Sequence, residues 1–495
     1  MLAITYTLYW SIMPSNRVKK EFTTASIWVA PAGVTQVTIS LIDKLDQLLY
    51  KTAPRMMLKR TQALFGVGLN DAGELGDQTI VRKSSPVPVL GGHSFVKIIN
   101  SSQSTYALKA DGSAWAWGSG FQGQIGDNTN GALASKSLPV AVLGGHRFID
   151  GNCRESAFFL KADGSIWSWG TNTNGQLGDN SIVNKSSPVA VIGGHSFIRV
   201  RVGSSCVHAL KADGSIWSWG TNQYGNLGDG TIASKSSPVQ ALGGHSFIAF
   251  ATGNGYLNAL KVDGSVWSWG RNDQGEIGDG TTLHKSSPVQ ALGGHSFISL
   301  STSSAAALKS DGSAWTWGYN GSGELGDGTI TDRASPVPVI GGHSFVFLHK
   351  GSVSSSYAIK ENGSIWSWGF NTDGTIGDGT SDRKSSPVAV VGGHSFIQLA
   401  LGGTPAALKT DGTVWTWGSG AFGELGDNTQ ISKSSPVAMI GGHFYQTGSQ
   451  IIVEKMVTVV PGTSYTMDML AAGILGIAPQ QILGNNVFIV IEYET

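Results

Sequence analysis

Histidine and aspartate are the residues in this chain whose types and spacing first suggest chemistry. Eight G-G-H triplets place histidines at His93, His146, His195, His245, His295, His343, His394 and His443, and eight (L/I)-G-D triplets end at Asp77, Asp127, Asp179, Asp229, Asp279, Asp327, Asp378 and Asp427. Imidazoles and carboxylates are metal ligands and acid–base groups, so a ring of either could hold an ion. Equivalent positions around an eightfold ring lie about 0.77 of the radius apart, so groups sharing one ion within ~4 Å would have to sit within ~5 Å of the axis. Turn residues at strand ends do not meet that condition. The histidines are expected to be turn residues whose rings bond to backbone, and the aspartates turn formers and partners of the recurring lysines.

Other chemistry finds less support. The segments Asn172–Gly175 and Asn371–Gly374 begin like a calcium loop but lack the closing bidentate glutamate. There is no G-x-S-x-G, no H-E-x-x-H and no G-x-x-x-x-G-K-[S/T]. Cys153 and Cys206 are the only cysteines, too few for a thiolate cage, and they read as buried free thiols. No catalytic residue, metal or cofactor is expected.

The elements that must position these residues follow from the period. W-x-W-G occurs seven times, with its second tryptophan at Trp117, Trp169, Trp219, Trp269, Trp317, Trp368 and Trp417, a step of about 50 residues. One unit reads A-L-K-x-D-G-S-x-W-x-W-G, four variable residues, G-x-L-G-D, a short variable stretch, K-S-S-P-V and G-G-H-S-F. In Ser165–Trp169, period-2 alternation puts both tryptophans on one face of a strand. Four short strands per unit, punctuated by D-G and G-G turns, describe a blade of a β-propeller. Fourteen of the 16 tryptophans lie in these pairs and are expected to pack between blades. From Met57 to Thr447 the period allows eight units, if MMLKRTQALFG is a worn first copy with Phe65-Gly66 standing for W-G. Eight blades is the count, with seven plus an unpaired unit as the alternative.

Composition agrees. The 495 residues carry 33 Lys+Arg against 33 Asp+Glu, only 13% charged, and 69 glycines. Net zero charge argues against a nucleic-acid binder, and a chain with 40% hydrophobic residues is not disordered. No run of 18 apolar residues offers a membrane span. Residues 2–13 are apolar but lack the basic segment and cleavage site of a signal peptide.

The pattern W-S-W-G-x-N-x-x-G-x-L-G-D-G-T, followed by P-V and A-L-K-x-D-G, resembles the repeat of the regulator of chromosome condensation family over roughly residues 57–447. The resemblance implies a propeller, usually seven-bladed, that works through loop-built surfaces; family members include an exchange factor, an ultraviolet photoreceptor and a secreted β-lactamase inhibitor. This chain has G-G-H-S-F where eukaryotic members usually carry a G-x-x-H-T-type turn, and it shows no long inserted loop. The flanks, FTTASIWVAPAGVTQVTIS at 22–40 with VEKMVTVVPGTSYTMDM and NNVFIVIEYE, resemble the glycine-rich β modules of phage tail-fibre proteins. The resulting organisation is an N-terminal segment 1–21, the first part of a small β module 22–40, a linker 41–56 with helical character through LIDKLDQLLY, a propeller 57–447, and the second part of the module 448–495. The fold class is all-β, a propeller inserted in a small split β-sandwich.

Positions that differ between copies are free to serve a partner. The four residues after W-x-W-G vary most, and they supply the binding-rim candidates Phe121, Tyr224, Arg271, Asp273, Tyr319, Phe370 and Phe422. A second variable stretch contributes Arg199, Arg201, Tyr256, His349 and Lys350. Exposed aromatics among Asn, Gln and Arg suit sugar stacking or a protein anchor. The expectation is a noncatalytic adhesion protein of a virion tail or cell surface, binding a cell-surface glycan or protein, with virion tail components as further partners. Neither nucleic acid nor membrane insertion is expected, and an oligomer is compatible with the sequence. A secreted bacterial propeller that binds or inhibits a protein is the second reading, an exchange-factor-like regulator the third.

Overall fold

The computed structural model describes residues 64–441 except 102, 302–304, 352–353 and 401–403. Outside that range it describes the backbone of the strands at 17–22, 27–29, 36–43, 55–58, 450–458, 464–466 and 487–494. Two compact units result, Leu48–Thr447 and, separately, Met1–Gln47 with Gly448–Thr495. Among the described residues there is no helix.

Each repeat folds into an antiparallel sheet in chain order, as in Asp150–Cys153, Ser156–Leu160, Ile166–Gly170 and Lys185–Ala190. The register pairs Ala157 with Trp169 and Phe159 with Trp167. Between the third and fourth strands it slips at Ser168/Gly170, alongside Pro188, which has no N–H for the ladder. Third strands are buried on both faces: the first tryptophan is half-buried, the second fully buried, and the small residue between them turns inward, with Ser168 Oγ donating to the Leu177 carbonyl at 2.7 Å.

Every unit is tied to the next by the residue after L-G-D. Asn180 N donates to Ser236 O, Gly230 N to Ser286 O, and so on through eight seams, the last running from Asn428 N to Ser84 O at 2.7 Å. The ring is therefore closed. The second tryptophan reinforces the seams: Trp117, Trp169, Trp219, Trp317, Trp368 and Trp417 each donate from Nε1 to a carbonyl of the preceding unit at 2.8–3.0 Å. Each seam encloses its own apolar core, such as Phe158, Leu160, Ile166, Leu177, Val200, Val207 and Trp219. The expected interblade role of the tryptophans is thus explained by an apolar ring with one donor that reaches across.

Seven units form four-stranded blades, and the worn first copy forms a three-stranded sheet, Arg55–Leu58, Leu64–Gly68 and Lys83–Pro88. The register of this copy differs from the expected alignment. Phe65 pairs with Pro88 as Trp167 pairs with Ala190, so Phe65 replaces the first tryptophan and Val67, not Phe65, lies where the second would be. At this seam Val67 packs with Leu408, Val414 and Met439, and Met439 lies against Gly426 where other units have the next indole. A long thioether fills the volume an indole leaves.

In the other unit, strands from both chain ends alternate in one antiparallel sheet ordered Arg17–Phe22, Val487–Glu494, Gln36–Asp43 and Gln450–Thr458; Ile27–Val29 pairs with Ser464–Thr466. Three expected boundaries move. Arg17–Phe22 is a strand inside the expected N-terminal segment, Leu41–Asp43 continue a strand where a helical linker was expected, and Arg55 starts a strand before residue 57. Alternating Val-Thr-Ile-Ser-Leu-Ile favours strand and carries the pairing past residue 40. The remainder of the expected linker, residues 44–54, lies outside the described residues.

Candidate interaction rim

The loops of the ring fall on two rims of different character. On one, the turn between second and third strands meets the G-G-H-S-F segment: Phe197 N donates to Gly164 O at 2.8 Å and Ser196 Oγ to Asp163 O at 3.0 Å. This rim repeats nearly the same residues from unit to unit, with Arg147 in place of Ser and Asn362 in place of Asp as the exceptions. Each described G-G-H histidine stacks on the first tryptophan of the pair at 3.9–4.2 Å between centroids, as His146 does on Trp167 and His195 on Trp217. The A-L-K lysine lies over the same indole, Lys211 Nζ at 4.2 Å from Trp217, and donates to His195 Nδ1 at 3.1 Å. Where a backbone bond was expected, His195, His245, His343 and His394 accept from a lysine, each ring tilted over its indole with Nδ1 toward the ammonium. Burial and the neighbouring lysine hold these imidazoles below their ordinary pKa. His443 lies outside the described residues.

The aspartates of L-G-D pair within their own unit, Asp179 with Lys185 at 3.3 Å and Asp279 with Lys285 at 2.8 Å, so the lysine of K-S-S-P-V is an intra-unit partner. Burial opposes ionisation of Asp179, but the Ser181 bonds and the lysine outweigh it and bring its carboxyl below the usual range. This pair anchors the opposite rim. There the loop between third and fourth strands bonds to the loop between first and second, through Thr221 N to Ser205 O, Arg271 N to Gly255 O and Phe370 N to Ser354 O at 2.8–2.9 Å.

A buried asparagine that sequence reasoning counted among the variable loop residues holds this loop. Asn172 Oδ1 accepts from Leu177 N at 2.9 Å, while Nδ2 donates to Asp179 Oδ1, Ser181 O and Val183 O at 3.1–3.2 Å. Asn70, Asn222, Asn272, Asn320 and Asn371 do the same. The signal was available, since Asn recurs at the second place after W-x-W-G in five units, and Asn70 holds the same place after Gly68. These amides are consumed by the loop, so Asn172 and Asn371 are not arranged as calcium ligands. Among the described residues no three His, Cys, Asp or Glu side chains converge as metal ligands.

All seven rim candidates stand on this second rim. Phe121 is 61% exposed, Phe422 38% and Tyr319 37%. Tyr224, Arg271 and Phe370 are half-buried, and Asp273 is exposed. Three of them come together: Arg271 Nε donates to Asp273 Oδ2 at 2.7 Å, and Tyr224 meets His284 edge-on at 4.9 Å. His284 Nε2 lies 3.6 Å from Asp273 Oδ1, and its Nδ1 accepts from Asn272 N. His284 was not a candidate, because its position twelve residues after the loop asparagine looks like spacer. Phe422 lies under the Arg82 guanidinium at 4.6 Å, which forks onto Asp71 at 2.6 and 2.8 Å. Phe121, Tyr319 and Phe370 stand apart from these clusters.

The second variable stretch is partly interior. The first strands of neighbouring units lie side by side, and there His349 and Lys350 are buried, as is Tyr256 at the start of a second strand. Lys350 Nζ donates to the carbonyls of Trp317 at 2.7 Å and Tyr319 at 3.2 Å, and burial brings its pKa down to about 8. Cys206, His208 and Ser218 align like a nucleophile and base, with Sγ–Nε2 at 3.3 Å and Nδ1–Oγ at 2.8 Å. Burial pushes the thiol up to about 11 and the imidazole down to about 3, so both stay neutral and the thiol is not activated. Both cysteines are free and buried.

A closed ring of tryptophan-sealed sheets with one uniform and one variable rim defines a repeat β-propeller. The chain belongs to the RCC1-like domain family: the RCC1-like domain matches residues 53–355, and the regulator of chromosome condensation (RCC1) repeat matches 362–407 and 411–467. Among curated proteins it is 31% identical over 115 residues to the ultraviolet-B receptor UVR8 of Arabidopsis thaliana, 22% of this chain and 26% of that one. It is 28% identical over 134 residues to the E3 ubiquitin-protein ligase HERC2 of Homo sapiens, 25% of this chain and 3% of that one. The matched region is thus a small part of either relative. Among solved structures, yeast RCC1 (Prp20) bound to Kap60 aligns with a TM-score of 0.55 at 19% identity, covering 74% of this chain and 92% of that one. Human WBSCR16 aligns at 0.54 and 20% identity, covering 69% and 97%. At such identities the likeness is one of fold.

Proposed function

We propose that the protein is a noncatalytic binding module that recognises a macromolecular partner through the rim carrying Phe121, Tyr224, Tyr319, Phe370 and Phe422. One observation carries this reading: variability and exposed aromatic surface gather on the same rim, while the opposite rim repeats one histidine–tryptophan–lysine stack. Exposed aromatic and arginine side chains are what binding hot spots use. Solved neighbours described as bound to Kap60, or studied for binding to Gsp1p and histones, lend a general precedent for partner binding on this fold.

Within that reading, the sheet built from both chain ends is the attachment unit and the ring is the contact unit. On this reading the protein is a tail-fibre or receptor-binding component that works on a virion tail or at a cell surface. The interleaving of Arg17–Phe22 and Gln36–Asp43 with Gln450–Thr458 and Val487–Glu494 supports it.

The test uses the full chain with a photo-crosslinking residue at Phe121 or, on the uniform rim, at Ile198. Exposed to intact cells, the first is expected to give adducts and the second none. Adducts confined to position 198 overturn the rim assignment.

A further inference from the structure

Two seams of the ring carry trios of the same kind, an aromatic ring, a nitrogen base and a carboxylate. At the seam between the fourth and fifth units, Tyr224 packs against His284, which faces Asp273. At the seam between the eighth and first, Phe422 packs against Arg82, which forks onto Asp71. The correspondence is positional. Tyr224 and Phe422 are each the fourth residue after their W-x-W-G, Asp71 and Asp273 each the third residue after the strand-ending glycine, and Arg82 and His284 each twelve residues after the loop asparagine. Only these two seams combine an aromatic at the first place with an arginine or histidine facing a carboxylate at the others. At the seam between the sixth and seventh units Ser322 replaces the aromatic and Thr372 the carboxylate, and Arg383 stays exposed.

The seams bear a fixed relation. Eight backbone bonds close the ring, so the two clusters are four steps apart whichever way one counts. They stand on the same rim, half a ring from one another.

We propose that these clusters are paired subsites for an uncharged, repeating carbohydrate chain. This deepens, and rests on, the reading of the variable rim as the binding face. The charges cancel within each cluster, Arg82 against Asp71 and Arg271 against Asp273, which gives a polyanion such as nucleic acid or an acidic lipid surface nothing to neutralise. Hydroxyl groups are the complement. A carboxylate oxygen accepts from a sugar hydroxyl, guanidinium or imidazole N–H donates to another, and the aromatic ring covers the apolar C–H face of the pyranose. Each ion pair holds its carboxylate in place beforehand, so little side-chain freedom is lost on binding. Both clusters keep access: Phe422 is 38% exposed, and the Asp71 and Asp273 side chains 54% and 49%. Two equivalent subsites half a ring apart are filled together only by a ligand that repeats, and joint filling multiplies a weak contact into useful avidity.

The full chain is tested on an array of neutral bacterial and host oligosaccharides, beside Tyr224→Ala, Phe422→Ala and the double variant, with far-ultraviolet circular dichroism to show that each is folded. The expected result is retention of a repeating neutral glycan, a loss of about tenfold or more in apparent affinity for either single variant, and no retention by the double variant. In titrations with a single repeat of that glycan, each single variant is expected to keep half the binding stoichiometry. A silent array overturns the carbohydrate class; adducts from the crosslinker at position 121 would then still uphold the rim as the contact face. Retention unchanged in the double variant overturns the two subsites, and if it is also lost on Ile198→Ser, the rim reading falls with them.

Discussion

The indole nitrogen of Trp219 donates to the carbonyl oxygen of Gln176 at 2.8 Å, joining a fully buried side chain of one unit to the loop of the unit before it. Because the same bond spans six seams, a single side-chain type both fills and orients the interfaces of the ring. The closing seam is different, with Val67 at that place and Met439 filling in. Trp219→Ala is therefore expected to cost about 3–5 kcal/mol and Val67→Ala about 2 kcal/mol. Urea unfolding midpoints measure both, and equal losses would contradict the special character of the closing seam.

The G-G-H histidines make stability depend on pH in one direction. Their folded pKa lies below the unfolded value of about 6.5, since burial and a lysine ammonium oppose a second charge. The neutral form is the one that fits, so their contribution is whole above pH 6.5 and is lost as pH falls through the folded pKa. The melting temperature should stay level from pH 8 to 7 as far as these groups decide it, and drop below about pH 6.5. Replacing His195 and His245 by Gln should make that drop shallower, as followed by scanning fluorimetry at several pH values.

Glu74 is buried in its loop, where its carboxylate accepts from Ala72 N at 2.8 Å; desolvation raises its pKa. In sister units Gln124 and Gln176 make the same bond with a neutral amide. Glu74→Gln should raise stability by about 1 kcal/mol at pH 7, where the carboxylate bears the burial penalty, and change little at pH 4, where much of it is protonated in either state. Denaturant titrations at the two pH values distinguish this from a pH-independent effect.

Gln78 adopts φ +64°, left-handed for an L residue, at the seam-forming position after L-G-D. Four sister units have glycine there, as Gly230 does at φ +80°. Gln78→Gly should relieve about 1–2 kcal/mol of backbone strain and lose part of it to the freedom of the unfolded chain, leaving a gain of about 0.5–1 kcal/mol. A lower urea midpoint would show that the Gln78 side chain contributes more than its backbone costs.

Much of the fold was legible because repetition makes a scaffold visible without homologues. Trp117 to Trp417 recur with the period of one blade, and each second indole proved to be a seam residue. The worn first copy was harder: Phe65-Gly66 imitates W-G in letters, whereas strand pairing aligns Phe65 with the first tryptophan and Val67 with the second. Register depends on which residues face each other across the sheet, and a two-residue shift leaves the alternation of faces unchanged. The site divided in the same way. Variability between copies pointed to Phe121, Tyr224 and Phe422 at the exposed rim, yet it also drew in Tyr256, His349 and Lys350, which the ring buries.

By itself the sequence determined the all-β class, the blade period, the tryptophan seams and the loops that are free to differ, because each of these is set by local alternation, turn residues and repetition. The tertiary structure decided which side chains meet. His284 joins Tyr224 and Asp273, and Arg82 reaches Phe422 from the other end of the ring, because curvature closes the first unit onto the last. No spacing along the chain encodes such a meeting. It arises only when eight seams add up to a full turn.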